Sequence, residues 1–341
     1  MPAEWEPQEA VWLSWPRRSG VSFPGDSLDW ALPEYAGFAR ALARFTPVYI
    51  NVSGPEHEAE ARAALGGGSA ADVFRFFTIP TDEPWVRDHG PSFLVGSGGE
   101  RGAACFRFNA WGEKYAPYDA DARAGAAMAA AAGARRFDVG LAGEGGAIEV
   151  NGRGTVLTTA SSLLNPNRNP GIPKISVERA LSDALGAPNV VWLEAELAGD
   201  DTDGHVDTFA RFTAPGTIAA SLPDSPGHPD FPALSGLHRA LAGVRLEDGS
   251  KPEVVALPVP APFVQCSPGG AWEPVSVPAG YANFLVTGRA VLVPAFGDPA
   301  DDRAADVLGQ LFPGREIVPL ASRRLIWALG SFHCLSQQLP A

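Results

Sequence analysis

The chain has 341 residues, with 26 Lys and Arg against 39 Asp and Glu, for a formal net charge of −13. That length exceeds one ordinary compact domain, and 45% hydrophobic with 19% charged residues is a globular composition rather than a disordered one. The acidic balance excludes a nucleic-acid or anionic-lipid binder, which needs basic surface for counterion release, and it favours cations as partners. The opening MPAEWEPQEAVWLSWP has no charged segment followed by an apolar one, so no secretory leader is visible. No stretch approaches the roughly 20 apolar residues of a membrane span. Cys105, Cys266 and Cys334 are odd in number and scattered, which suggests neither a disulfide framework nor a zinc site. A cytoplasmic protein is the expectation.

In chain order, helical spacing over Trp30–Phe45 runs through Thr46-Pro47 into a strand at Val48–Val52. An extra helix and strand follow at Glu56–Leu65 and Val73–Ile79, then a hairpin over Pro91–Phe108. The Ala tract 122–132 leads to a strand at Arg136–Val139. Ala147–Thr159 is a hairpin around Asn151-Gly152, the strongest short-range signal of that kind. Val177–Leu185 stops at Gly186 and gives Asn189–Leu193; a hairpin spans Phe209–Ser221. Pro232–Leu241 leads to Glu253–Leu257, and a hairpin spans Ala282–Pro294. Asp301–Leu311 stops at Pro313-Gly314 and gives Glu316–Leu320. The helix–strand unit thus occurs five times, mostly with a hairpin before it. Repeated units of this size predict a closed radial array of five units in one domain over residues 1–341. The alternative is a doubly wound sheet, which does not need a hairpin in every unit.

In such an array the connections from one unit to the next converge on the axis. They contain Asp82–Pro91, Gly143–Gly146, Asp200–Asp207, Gly280–Asn283 and Gly330–Cys334. Carboxylates, a histidine and a cysteine recur there beside glycine, whose missing Cβ lets loops approach closely. Taken singly, each has an ordinary reading. Cys334 alone is a buried thiol, His205 a loop histidine, Asp88 a partner for Arg87, and Asp200, Asp201 and Asp203 a solvated turn. Asp203-x-His205-x-Asp207 has a metal-like spacing, but nothing His-rich accompanies it. The functional reading comes from their recurrence at matching places.

These segments carry a resemblance. MPAEWEP at the start, WVRDHGP at Trp85–Pro91, FNAWG at Phe108–Gly112, EGGAIEVNGRGTVLTT at Glu144–Thr159, LLNPNRNP at Leu163–Pro170, DTDGHVD at Asp201–Asp207, YAN at Tyr281–Asn283 and HCLSQQ at His333–Gln338 run in order along the whole chain. They are similar to the agmatine deiminase family, which includes the Porphyromonas-type peptidylarginine deiminases of the pentein superfamily. The resemblance implies a five-bladed pseudo-symmetric α/β propeller. It also implies hydrolysis of a small cationic guanidine to a ureido group and ammonia, without metal or organic cofactor. It assigns the nucleophile to Cys334, the general acid/base to His205, the grip on the guanidinium to Asp88 and Asp207, and support of the histidine to Glu144. Asn283 lies at a site-lining position.

Agmatine also carries an ammonium. Trp85 and Trp111 are expected to offer cation–π faces to it, Asp201 or Glu4 a charge, and Glu4 and Trp5 an entrance. Arg87 and Arg107 leave a peptidylarginine substrate open, since its carboxylate needs cations. Other rivals are a deiminase of free arginine, an amidino-transfer enzyme and a non-catalytic guanidine-binding propeller. Oligomeric state is not legible. The chain departs from relatives at Ala160, Ser161 and Ser162, and at Glu149, His89 and Thr208, where they often have His, Thr and Asn. Those changes mark a side branch and leave the substrate tail unassigned.

Overall fold

A computed structural model describes residues 1–66, 73–265 and 275–341; Cys266 lies outside them. Four three-stranded sheets repeat one pattern: an antiparallel hairpin, then a helix that returns the chain to a third strand parallel to the second. A parallel pair needs such a crossover, and the helix supplies it. The hairpins are Ser92–Val95 with Arg101–Arg107, Glu149–Val150 with Thr155–Thr159, Ala210–Ala214 with Thr217–Ser221, and Leu285–Val286 with Ala290–Ala295. Their third strands are Arg135–Ala142, Asn189–Leu193, Glu253–Leu257 and Glu316–Ala321. The crossover helices are Asp121–Ala131, Lys174–Leu185, Phe231–Leu241 and Ala300–Leu311. A two-stranded ribbon, Val264–Gln265 with Val275–Ser276, precedes the last of these sheets.

The remaining sheet is made from the chain ends. Gln337–Pro340 pairs antiparallel with Gln8–Ser14, with Trp12 opposite Gln337 and Gln8 opposite Pro340. Val48–Val52 and Phe74–Thr78 extend it in parallel, after the helices Asp26–Leu42 and Pro55–Leu65. The hairpin missing from this unit in the sequence is therefore assembled from opposite ends of the chain. The result is the five-bladed α/β propeller that the resemblance implies and that the five repeated units fit.

Each helix packs because its apolar stripe matches the 3.6-residue period. Val177, Leu181 and Leu185 form the buried face of Lys174–Leu185, and Gly186 ends that helix at φ 65, a left-handed conformation that suits glycine. Leu234, Leu237 and Leu241 likewise bury against Phe212 and Ile218. The strand Thr155–Thr159 is buried along its whole length. The first helix starts earlier than its periodicity indicates, at Asp26 after Gly25, with Asp26 and Asp29 in a first turn that favours negative charge. Arg135–Ala142 is longer than its apolar run because it pairs with Arg101–Arg107, across an irregularity between Cys105 and Arg107.

At the axis the connections form short helical turns: Val86–His89, Gly145–Ala147, Val206–Thr208 and Tyr281–Asn283. Each packs on the next. The C-terminal loop closes the ring: His333 N donates to Asn283 O at 3.1 Å, and Arg87 N donates to Cys334 O at 3.1 Å.

Candidate active site

The ring of turns brings Asp88, Glu144, His205, Asp207, Asn283 and Cys334 together, all buried. Asp88 sits in the turn after Trp85. Its Oδ1 accepts from Gly146 N at 2.9 Å and its Oδ2 from Trp111 Nε1 at 3.0 Å. A Cβ on Gly146 would lie 2.5 Å from His205 Nδ1 and 2.9 Å from Asp88 Oδ1, so the close approach requires glycine. Trp111 itself holds a left-handed backbone at φ 55, braced by Gly112 N donating to Asn109 Oδ1 at 3.1 Å. This conformation aims the indole N–H at the carboxylate. Burial, with Asp207 and Glu144 nearby, pushes Asp88 up to about 6 against the pull of His205 and the Gly146 amide.

His205 lies between two carboxylates. Its Nε2 is 3.4 Å from Glu144 Oε2 and its Nδ1 3.8 Å from Asp88 Oδ1. Burial alone would lower it; Asp88, Glu144 and Asp207 outweigh burial and raise it to about 9, so the imidazole is cationic at neutral pH. Glu144 is tied on its other oxygen by Arg168 Nε at 2.9 Å, and Arg168 also donates to Thr202 O at 2.9 Å and pairs with Asp203. His205 and Arg168 together hold the Glu144 carboxyl below its ordinary value despite burial.

Cys334 Sγ receives Asn283 Nδ2 at 3.1 Å and lies 3.6 Å from Asp207 Oδ2. Asn283 Oδ1 accepts from the backbone N–H groups of Ser331, His333 and Cys334 at 3.2, 3.1 and 3.2 Å. Asn283 therefore shapes the cysteine loop and touches its sulfur. Burial, Asp207 and Asp88 push the Cys334 thiol far up, so the free site holds a thiol and not a thiolate. Asp207 Oδ2 accepts from His333 Nδ1 at 2.6 Å, while Oδ1 is buried without a partner among the described residues. Burial would raise Asp207, and its bond to His333 with the nearby cations lowers it instead.

A cavity of about 260 Å³ opens onto Cys334 and Asp88. Trp85, Trp111, Tyr115 and Trp327 line its walls, with Glu83 and Asp201 as further acids. Asp201 accepts from Tyr115 Oη, and Glu83 from the backbone N–H groups of Val21 and Ser22 at 2.5 and 3.1 Å. Gly330 is needed beside this wall, where a Cβ would stand 2.4 Å from the Trp85 ring. No Lys, Arg or His side chain lines the cavity among the described residues.

Several expectations are corrected. Glu4 is no entrance residue: it is 6% exposed and hydrogen-bonded to Arg211, His333 and Val286 N at 2.9, 2.8 and 2.6 Å. Trp5 packs against the apolar cores instead. Burial beside a ring of donors draws the carboxylate of Glu4 inward. Neither Arg87 nor Arg107 lines the cavity. Arg87 is buried on Gln338 and Glu4, and Arg107 is exposed and reaches Arg168 O at 3.4 Å. In Asp203-x-His205-x-Asp207 the side chains diverge, with Asp203 on Lys114 and Arg168 and the other two inward. The departures at Glu149, His89 and Thr208 fall behind the cavity wall, on Arg211, Ser14 and the His205 carbonyl respectively.

Sequence reasoning missed Arg168, His333, Tyr115, Trp327 and Glu83. Arg168 lies in LLNPNRNP and His333 beside Cys334, so both were adjacent to recognised motifs; Trp327 and Tyr115 carried no local signal.

A family model described as Porphyromonas-type peptidyl-arginine deiminase matches residues 1–340. An agmatine deiminase of Pseudomonas syringae pv. tomato is 35% identical over 357 residues, covering 100% of this chain and 95% of that protein. One from Pseudomonas putida is 36% identical with the same coverage. The solved agmatine deiminase of Enterococcus faecalis superposes with a TM-score of 0.92 at 30% identity, over 100% of this chain and 95% of that one. An amidinotransferase from Microseira wollei, 14% identical with a TM-score of 0.57, shares the fold.

Proposed function

Since the chain belongs to the Porphyromonas-type peptidyl-arginine deiminase family, whose agmatine deiminase relatives hydrolyse C–N bonds of amidines, we propose that it converts agmatine and water to N-carbamoylputrescine and ammonia. One observation carries the choice of substrate: the cavity has acids at its floor and its wall, aromatic faces between them, and no Lys or Arg among the described residues that line it. A dication with an apolar middle fits that lining. The α-carboxylate of arginine would find no cationic partner there, which disfavours free or peptide-terminal arginine. A binding protein without chemistry would have no use for a thiol held by Asn283 at the floor.

A guanidinium is planar and presents forked N–H donors, which carboxylates bind in its plane. Asp88 and the unpaired Oδ1 of Asp207 take that role, so the central carbon faces Cys334. The arriving cation offsets the two carboxylates that keep the thiol protonated, and Cys334 releases its proton to solvent. The thiolate attacks the central carbon. His205, already cationic, protonates the departing nitrogen, and ammonia leaves a covalent thiouronium. The now neutral His205 takes a proton from water, the hydroxide adds to the same carbon, and collapse, with the hydroxyl proton passing to the departing sulfur, releases the ureido product and restores the Cys334 thiol. Glu144, anchored by Arg168, orients His205 throughout.

The test is incubation with agmatine, arginine and Arg-terminated peptides, with ureido product and ammonia measured. Agmatine should be turned over best, and Cys334→Ala should abolish turnover in a folded protein. Absence of turnover of every guanidine overturns the proposal; an amidino product formed on an added amine without ammonia would favour transfer.

A further inference from the structure

The reaction as derived gives His333 no task, although it precedes the nucleophile and is 1% exposed. Both of its ring nitrogens face carboxylates: Nδ1 is 2.6 Å from Asp207 Oδ2 and Nε2 is 2.8 Å from Glu4 Oε2. An ionised carboxylate only accepts hydrogen bonds, so the ring nitrogen that faces Asp207 acts on it as a donor. Glu4 in turn is immobilised by Arg211 Nη2 at 2.9 Å and Val286 N at 2.6 Å, with Arg87 at 3.4 Å. The backbone N–H of His333 is held by Asn283. The ring is thus fixed from three sides, and what it fixes is Asp207. With Oδ2 occupied, Oδ1 is left facing the centre, 3.2 Å from where a Gly146 Cβ would stand and without a partner among the described residues. Without the His333 bond the carboxylate is free to turn, and Cys334 Sγ, 3.6 Å away, competes for it.

We infer that His333 is a positioning residue for guanidine recognition: clamped by Glu4 from the start of the chain, it holds Asp207 with one oxygen occupied and the other turned to the substrate. This rests on the deiminase reading above. Through it, the N-terminal segment belongs to the site although it does not line the cavity.

Two carboxamide variants separate this role from plain packing. In His333→Asn the amide nitrogen lies near the place of Nδ1 and keeps a donor toward Asp207. In His333→Gln it lies near the place of Nε2 and loses that donor. The kcat/KM of His333→Gln for agmatine should fall roughly 10- to 100-fold below that of His333→Asn, mostly through KM, with the two melting temperatures alike. Equal kcat/KM in the two variants, with an active wild type, overturns the inference. A wild type inactive on every guanidine sinks the deiminase reading instead. Should a variant fail to fold, the wild type labelled with [15N]histidine decides: the Nδ1 of His333 must carry a hydrogen-bonded proton, and an Nδ1 without one overturns the inference.

Discussion

Trp111→Phe tests whether the electrostatics of Asp88 set the acid limb of activity. Asp88 stands at about 6 because burial and two neighbouring carboxylates disfavour its charge, while the Gly146 amide and His205 favour it. The indole N–H at 3.0 Å is a further donor to the ionised form, and phenylalanine keeps the ring but removes the donor. A hydrogen bond to a charged group is worth about 1.5–3 kcal/mol. At 1.36 kcal/mol for each tenfold change in protonation, its loss moves the ionisation of Asp88 upward by about one to two pH units. The carboxylate must be ionised to bind a guanidinium, so activity rises as pH passes through that value. The wild-type kcat/KM should form a bell between about 6, where Asp88 loses its proton, and about 9, where His205 loses the proton it donates. The variant should keep the basic limb and move the acid limb toward 7–8, a shift of about one to two pH units. At pH 6, where the wild-type carboxylate is half ionised, its kcat/KM should drop roughly 5- to 50-fold, with a much smaller loss at pH 8.5. The assay is ammonia release from agmatine across pH 5–10. An unmoved acid limb, or a loss of equal size at every pH, would refute the reasoning.

Other perturbations read other parts of the site. Arg168→Met leaves Glu144 buried without its guanidinium partner, which should cost about 3–5 kcal/mol in chemical denaturation; a loss under about 1 kcal/mol would show that Glu144 finds another partner. Gly146→Ala drives a methyl into His205 and Asp88, and a displacement of that kind should lower kcat about 100-fold or more with an unchanged circular dichroism spectrum. Wild-type kinetics in Gly146→Ala would mean that the centre yields. Asp201→Asn should reduce the preference for agmatine over n-butylguanidine, which lacks the ammonium, roughly tenfold. An unchanged ratio would place the tail elsewhere than beside Asp201.

The sequence made the helices and strands legible wherever local periodicity and a stop signal agreed. Asn189–Leu193 and Glu253–Leu257 coincide with the observed strands, and Lys174–Leu185 ends at the glycine that its pattern indicates. Residues of the candidate site were legible because each sits in a turn beside glycine at the same place in its unit. Arg168 and Glu4 were not legible in their roles. A charged residue in a polar stretch reads as solvated, and only the tertiary structure buries Arg168 against Glu144 and Glu4 against His333. The same holds for Trp327, one aromatic among nine tryptophans until the C-terminal loop folds it onto the cavity.

By itself, then, the sequence determined the repeated unit, the number of blades and the chemistry-bearing residue types, because these depend on spacing within a few turns of chain. The tertiary structure decided how the ring closes and where the charges point. Gln337–Pro340 pairs with Gln8–Ser14 across nearly the whole chain, and that pairing carries Cys334 to Asp207 and His333 to Glu4. Contacts between residues so far apart leave no local pattern. They form because the open fifth blade has unpaired strand edges and buried carboxylates that only the two chain ends can satisfy.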